Sequence, residues 1–526
     1  GKSRDMRQLS PRLPKPAYKV FPLLLAAVLL LAACATPLQP HPQPESFALP
    51  ADPAAVEWEP LRNNLPTNEA TSWFDIQAVG PDALRWRLAL MDTAIASLDA
   101  QYFIWRDDAV GSLLLERLLR AADRGVRVRL LLDDSFLAGE DPVLVAVDEH
   151  PNVEVRIFNP FQVRADNMLV RYIENLNDNA RINHRMHNKL LIADSQVAIV
   201  GGRNIAEEYF GFNRDHNFRD FDVMVTGEVM PQITTSFDTY WNSDWAFPVA
   251  IVDHVKGTPE QLNRLLGKLR ANAAILDDWA ESVAAEPRNW ATQWAALAPT
   301  MLPGTATIHQ DNPDIGDDAP PEQAARKILA MLAKTEADVV SISAYLIPPD
   351  DVLRSINDLS QRGVRIKALT NSLASNNHVA AHTAYRHRRK QLLDAGVVLH
   401  ELRPHAPERT RFEAPGFTAE HIGLHAKILV LDKRLVFVGT LNADPRSIVL
   451  NTEVSLMIDS PELAEGILSA FSTDFSPQNS WRVVLGDNGQ LTWHSSDGVL
   501  DRQPAGSIWR RVGDFFIGLL SIDEQM

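Results

Sequence analysis

Two hydrophobic rhythms alternate along most of this chain. Short runs rich in Val, Ile and Leu, such as SLDAQYFIW ending at Trp105, are followed by stretches in which apolar residues recur every three or four positions. The first rhythm predicts buried strands and the second amphipathic helices. Around Gly125 the text AADRGVRVRLLLDDS reads as a helix end, a glycine stop and a new strand. Another strand, VEVRIFNP, starts at Val153. Continuous apolar strands separated by helices predict an α/β sandwich with a largely internal sheet.

The whole pattern then recurs at an offset of 238 residues. LSQRGVRIKALTNSL surrounds Gly363, with DVVSISAYLI before it and VVLHELRP from Val397 after it. This repeat predicts two halves, residues 66–250 and 320–485. The connector, 251–319, holds a predicted helix (TPEQLNRLLGKLRANAAIL) and ends in an acidic loop, PDIGDDAPPE, that runs into the second half. Residues 486–526 form a tail whose end, SIWRRVGDFFIGLLSIDEQM, reads as an amphipathic helix laid on the body, or alternatively on lipid.

Polar letters interrupt the strand pattern at the same offset. Residues 187–204 read HNKLLIADSQVAIVGGRN and residues 425–442 read HAKILVLDKRLVFVGTLN. His187, Lys189, Asp194, Gly201 and Asn204 thus recur as His425, Lys427, Asp432, Gly439 and Asn442. A last strand follows each, DFDVMVTG from Asp220 and NTEVSLMI from Asn451. Alternate strand side chains share a face, so each His and its Lys point the same way. Packing about a pseudo-twofold axis would bring two His, two Lys and two Asn into one cleft. Two ammonium groups and two amides can surround a phosphate diester and match the charge that grows in its transition state. One imidazole can attack phosphorus while the other protonates the leaving alcohol and deprotonates the incoming one. No metal or cofactor is called for, because the lysines already neutralise the phosphate.

This doubled His-x-Lys-x4-Asp pattern, with Gly201-Gly202 and Gly439-Thr440 beyond it, resembles the phospholipase D superfamily. The extension of the second copy through Asp444, Arg446 and Glu453 resembles bacterial cardiolipin synthases in particular. GGRNIAEEYF, RDFDVMV and the N-terminal segment described below resemble their C-type branch. The resemblance implies two pseudo-symmetric α/β sandwich halves of phospholipase D type sharing one active site. It implies His187 as nucleophile, forming a phospho-histidine, and His425 as general acid/base, an order that is open to reversal. Asp222 and Glu453 stand where carboxylates would fix the histidine tautomers. Asp222 lies 18 residues past Asn204 but Glu453 only 11 past Asn442. The extra residues, including AEEYFGFNRDHNF, read as an insertion near the cleft. Asp194 and Asp432, at strand ends, read as structural hydrogen-bonders. The implied reaction moves a phosphatidyl group onto a lipid headgroup alcohol and makes cardiolipin. Phosphatidylglycerol is the expected substrate and phosphatidylethanolamine a second candidate. The alternatives are hydrolysis of phospholipids, a nuclease, and a lipid-binding scaffold with a dead site. Intact His, Lys and Asn in both copies argue against the last.

Composition and charge narrow these. With 526 residues the chain has room for two domains, and 45% hydrophobic and 22% charged residues are those of a globular protein. The net charge of −16 disfavours nucleic acid as a partner. Lys2, Arg4, Arg7, Arg12, Lys15 and Lys19 precede an apolar stretch from Phe21 to Cys34. That stretch is shorter than the roughly 20 residues a spanning helix needs, and it reads as a secretory signal. Its end, Leu31-Ala-Ala-Cys34, resembles a bacterial lipobox, which implies lipidation at Cys34, the only cysteine, and removal of residues 1–33. The mature charge would then be −21, since six basic and one acidic side chain leave. Residues 34–65 are Pro-rich and without period, and read as an extended tether. The expected location is the periplasmic side of a bacterial envelope, lipid-anchored. Ala35 in place of an Asp favours the outer membrane.

Other polar features have plainer readings. Asp133-Asp134 matches Asn371-Ser372 in the repeat and reads as a cap or loop, not a metal site. The basic run from Tyr385 to Lys390 reads as a solvated helix face or a contact for anionic headgroups. His400, His405 and His421 read as loop or surface residues, and Trp73, Trp105 and Tyr345 as core.

Overall fold

The computed structural model describes residues 38–506 except 41, 68, 253–254, 286–289, 316–322 and 377–378. The signal-like segment with Cys34, most of the acidic loop and the apolar tail from 507 lie outside the described residues. Among those described, no helix is long and apolar enough to cross a membrane.

The first half holds β1 (Ser72–Gln77), β2 (Ser97–Tyr102), β3 (Arg127–Asp133), β4 (Val153–Phe158), β5 (Lys189–Ala193), β6 (Val197–Gly201), β7 (His216–Arg219), β8 (Asp222–Gly227) and β9 (Ala246–Pro248). All but β7 form one sheet, in the order β1-β8-β6-β5-β2-β3-β4-β9. The second half holds β10 (Leu302–Gln310), β11 (Asp338–Ser343), β12 (Arg365–Asn371), β13 (Val398–Leu402), β14 (His421–Leu424), β15 (Lys427–Leu431), β16 (Leu435–Gly439), β17 (Val454–Asp459) and β18 (Ser480–Leu485). Its sheet has the same order, β10-β17-β16-β15-β11-β12-β13-β18. Two further strands, β19 (Leu491–Ser495) and β20 (Gly498–Leu500), extend it. Within each sheet the three strands joined by helical crossovers are parallel (β2, β3, β4 and β11, β12, β13), and the remaining pairs are antiparallel.

Strand alternation explains how the halves join. Leu190 and Ile192 of β5 and Ala198 and Val200 of β6 share one buried cluster with Ile428 and Val430 of β15 and Val436 and Val438 of β16. The intervening residues Leu191, Ala193, Val197 and Ile199 pack outward with the helices Gly80–Thr93 and Ala109–Asp123. Leu431 and Phe437 do the same in the second half. The inner faces of the two sheets therefore form one core between them, each buried aliphatic side chain contributing roughly 1.5–3 kcal/mol.

Three expected boundaries change. β10 pairs with β1 through Leu302–Gly304 and with β17 through Thr305–Gln310. It holds in the second sheet the place of β1 in the first, so the second half begins inside the stretch read as a connector. The expected helix in that connector is Pro259–Ala273, and its Leu265 and Leu269 belong to the first half's outer core. The stretch expected as an extended tether is instead fastened to the first half. Arg129 donates to Ser46 O at 2.8 Å, Arg156 to Pro44 O at 2.7 Å, and Ala48 N to Asp238 at 2.9 Å. Trp58 is fully buried against Trp294, whose ring is also 4.8 Å from Trp86. The prolines of this segment suit an irregular strap because its carbonyls, not its amides, do most of the bonding. The tail from 486 begins as sheet, in β19 and β20.

Candidate active site

Two parallel pairings between the halves deliver the polar residues. β7 lies beside β14, with Arg219 opposite Leu424. The next residues on each strand, Asp220 and His425, emerge together, and His425 Nδ1 lies 2.6 Å from Asp220 Oδ2. Met186 bridges Thr452 in the same parallel sense, and the next residues are His187 and Glu453. His187 Nδ1 lies 3.0 and 3.1 Å from the two Glu453 oxygens and 3.1 Å from Thr440 O. Each histidine of one half is thus held by a carboxylate of the other. A carboxylate on Nδ1 leaves the Nε2 lone pair for chemistry.

Asp222 does not hold a histidine, against expectation. Its carboxylate is buried between Arg87, at 2.8 Å, and Arg203, at 3.0 Å. The sheet register shows why. Gly201 pairs with Asp222 and Gly439 with Ser455, so the counterpart of Glu453 is Asp220, two residues before the strand position facing the glycine. The signal available in the sequence is the match of VMV at 223–225 with LMI at 456–458, which sets Asp220 against Glu453. Phe103 and Tyr209 were missed altogether. Their rings stand edge-on to His187 and His425, at 4.9 and 5.0 Å. Tyr209 belongs to the expected insertion, which forms the short helix Glu207–Phe210 and β7.

Lys189 and Lys427 lie at the strand ends, nearly fully buried. Lys189 Nζ donates to His187 O at 2.6 Å. Lys427 Nζ donates to His425 O and lies 3.2 Å from His425 Nε2. Asn204 Oδ1 accepts from Ile104 N at 3.2 Å, while Asn442 Oδ1 finds no hydrogen-bond partner among the described residues. Burial and the two lysines hold both imidazoles neutral, His425 down to about 3 and His187 well below its usual value. Burial also lowers Lys427 to about 8 and Lys189 well below its usual range. Burial pushes Glu453 up to about 8, whereas His425 and Lys427 draw Asp220 below the usual carboxylate range despite burial. A pocket this short of negative charge is set for an anion. A phosphate diester would restore the lysines' charge and raise both histidines.

The remaining predicted residues surround this centre. Gly201 and Gly439 lie where a Cβ would strike the backbone of the facing strand, and a Cβ on Gly202 would strike the Asp220 carboxylate. Their smallness admits the carboxylate loops. Thr440 is fully buried and ties its N and Oγ1 to the Val454 backbone, which aims its carbonyl at His187. Asp194 and Asp432 sit at the far strand ends in the left-handed region, φ 52° and 51°. Asp194 accepts from the amides of Ile95, Ala96 and Ser97, and Asp432 from those of Glu336, Ala337 and Asp338. Asp133 caps the turn Asp134–Phe136 and also accepts from Met186 N at 2.8 Å, while Asn371 accepts from Leu424 N at 2.8 Å. Both thereby fix the residue before a histidine. The basic run is not a solvated face throughout: Arg389 is buried against Glu401 at 2.9 Å, with Tyr385 on the same carboxylate. His400 is buried in β13, where burial and Lys367 lower it to about 4, so it is no surface residue. His405 and His421 pack together, ring centroids 5.0 Å apart. Trp105 is core, whereas Trp73 and Tyr345 are half-buried.

A family profile described as cardiolipin synthase, PLD-like domain, matches residues 88–241 and 328–475, one match per half. The chain belongs to the cardiolipin synthase family of phospholipase D-like proteins. Among relatives in this family, cardiolipin synthase C of Escherichia coli is 34% identical over 445 residues, 82% of this chain and 91% of that one. Cardiolipin synthase 2 of Bacillus cereus is 25% identical over 75% of this chain and 63% of that one. The fold is also that of a phosphatidylserine synthase from Haemophilus influenzae (12% identity, TM-score 0.54), over 89% of this chain and all of that one. The family is one of phosphatidyltransferases, and the chain is an enzyme of that phospholipase D type acting on phospholipids.

Proposed function

We propose that this phosphatidyltransferase is a cardiolipin synthase. It takes a phosphatidyl group onto one histidine and passes it to a headgroup hydroxyl of phosphatidylglycerol, with phosphatidylethanolamine as a candidate second lipid. The observation that carries this is the pair of reciprocal His–carboxylate contacts beside two buried lysines. His187 Nε2 attacks phosphorus as the P–O bond to the leaving headgroup alcohol breaks, and His425 gives that oxygen a proton. His425 then takes the proton of the acceptor hydroxyl, whose oxygen displaces His187. Lys189 and Lys427 carry the charge that builds on the phosphoryl oxygens.

Contact with a lipid surface is supported by an inside-out helix, Met168–Glu174. Its Arg171 is fully buried on Asp134 and Asp141, while Leu169, Val170 and Ile173 are exposed. Such exposed apolar residues suit a bilayer surface. The lipobox-like end at Cys34 supports a lipid anchor on the periplasmic side, and Ala35 the outer membrane. Incorporation of labelled palmitate that Cys34→Ser abolishes would test the anchor.

The purified full chain is to be incubated with phosphatidylglycerol, with and without phosphatidylethanolamine. Cardiolipin is the expected product. Phosphatidic acid alone would establish hydrolysis instead, and no turnover would sink both readings. With the proton donor removed, His425→Asn should accumulate label on His187. Label on His425 in the reciprocal variant, and none on His187, would reverse the order.

A further inference from the structure

The second half contains a cavity whose counterpart in the first half is smaller and does not reach the motif residues. It lies between the sheet and the helices Gln323–Leu332 and Asp350–Gln361, and encloses about 1070 Å³ free of protein atoms, its open mouth included. Its walls are almost wholly apolar, among them Ile328, Leu329, Val352, Ile356, Leu359 and Val397. Along β11 it runs from Val339 past Ser341 to Ser343, and Ser343 pairs with Lys427. Four residue steps along the strand make that path about 13 Å. Lys427 and Asn442 close the polar end, and Asn442 is the buried amide with an unpartnered oxygen.

Sheet register identifies what fills the matching space in the first half. Tyr102 stands opposite Lys189 as Ser343 stands opposite Lys427. Leu130 is the counterpart of Ala368, and Trp105 of Leu346. Tyr102 and Trp105 pack edge to face at 5.6 Å, and both are buried with Leu130 in the outer core. The space left there, about 410 Å³, is lined by neither Lys189 nor Asn204. Three substitutions of large by small residues therefore open one half and not the other.

We infer that this cavity holds one acyl chain of the phospholipid whose phosphate sits on Lys189 and Lys427. The inference rests on the lipid reading above, and it commits to an alkyl chain because the walls offer apolar surface and the polar end is lined by Lys427 and Asn442 of the proposed phosphate site. A chain lodged there would keep the phosphatidyl group registered on the histidines while headgroup alcohols exchange. Burying its methylenes would favour long chains.

Ala368→Leu with Leu346→Trp restores two of the three first-half residues. The expected result is at least a tenfold fall in kcat/KM for dioleoyl phosphatidylglycerol in mixed micelles relative to dibutyroyl phosphatidylglycerol. An unchanged ratio would overturn the inference. Wild-type protein inactive on both lipids would instead overturn the functional reading. Should the double variant not fold, wild-type protein is to be irradiated with phosphatidylglycerol bearing a diazirine near the acyl terminus. Label on Ile328, Leu329, Val352 or Ile356 supports the acyl site, and label confined to other residues overturns it.

Discussion

The two halves agree in the paired His, Lys and Asn and differ in what surrounds them. His, Lys and Asn superimpose by register, and each strand-end Asp binds three amides at the start of a neighbouring strand. The orienting carboxylate is Asp220 in one half and Glu453 in the other, and the residues behind the histidines are Asp133 and Asn371. One half is filled where the other is hollow. A symmetric centre suffices to grip a symmetric group such as a phosphate diester. A reaction with distinct leaving and entering lipids needs sides that differ, and the differences lie around the centre.

The sharpest break in the comparison is between Asp220 and Asp222, two residues apart. Asp220→Asn should lower kcat by about 10²–10⁴-fold with the fold intact, because a neutral amide neither fixes the His425 tautomer nor stabilises its charged form. Asp222→Asn should act through stability, leaving Arg87 and Arg203 buried beside a neutral group at a cost of about 3–5 kcal/mol. Turnover and thermal melting of both variants check this. Equal catalytic loss at full stability would restore Asp222 as a partner of the histidine.

That pair also marks how far the sequence could be read. The doubled motif made the fold, the shared centre and six of its polar residues legible, since a strand's period of two determines which side chains share a face. The carboxylates follow a loop of different length in each copy, and a two-residue slip there leaves the strand pattern plausible. Glu453 is legible in that pattern and Asp220 is not. The strap from Pro44 to Trp58 was missed for another reason. Its bonds run from buried Arg129 and Arg156 to its carbonyls, and carbonyls have no sequence signature. β10 was hidden in LPGTATIHQ, a run half-exposed along its length with little apolar contrast.

The pH dependence sharpens the lysine comparison. A lysine must be charged to hold phosphate, and burial lowers Lys427 to about 8 in the free enzyme. kcat/KM should therefore fall as pH rises through about 8, roughly tenfold per unit above it. Lys427→Arg keeps its charge throughout and should remove that limb, whatever it costs in rate. A limb unmoved by the substitution would assign it to Lys189, which burial also lowers, or to Glu453.

Glu453 gives a smaller effect of opposite sense in stability and activity. Its carboxyl is raised from 4.5 to about 8, so between those values the folded protein holds a proton that the unfolded chain releases. Stability from this group is complete below about 4.5 and is lost as pH rises through about 8, by a few kcal/mol at most. Glu453→Gln should abolish most turnover yet melt above the wild type at pH 9, with the gap shrinking toward pH 5. A gap independent of pH would show that the carboxyl is not titrating in this window.

The smallest effect separates the two structural aspartates. Asp194 is buried and accepts, besides its three amides, the Trp58 indole N–H at 2.9 Å from the N-terminal strap. Asp432 binds its amides at the surface, where water can replace it. Asn tolerates the left-handed backbone that both positions require, so Asp→Asn tests the acceptors without adding strain. Asp194→Asn should cost roughly 1–3 kcal/mol, because one amide oxygen has to serve donors that two carboxylate oxygens now share. Asp432→Asn should cost under about 1 kcal/mol, since its donors can turn to solvent. Trp58→Phe removes the extra donor and should bring the two Asn variants closer together in urea unfolding. If the difference between them persists in that background, burial of the first site, and not the strap, sets it.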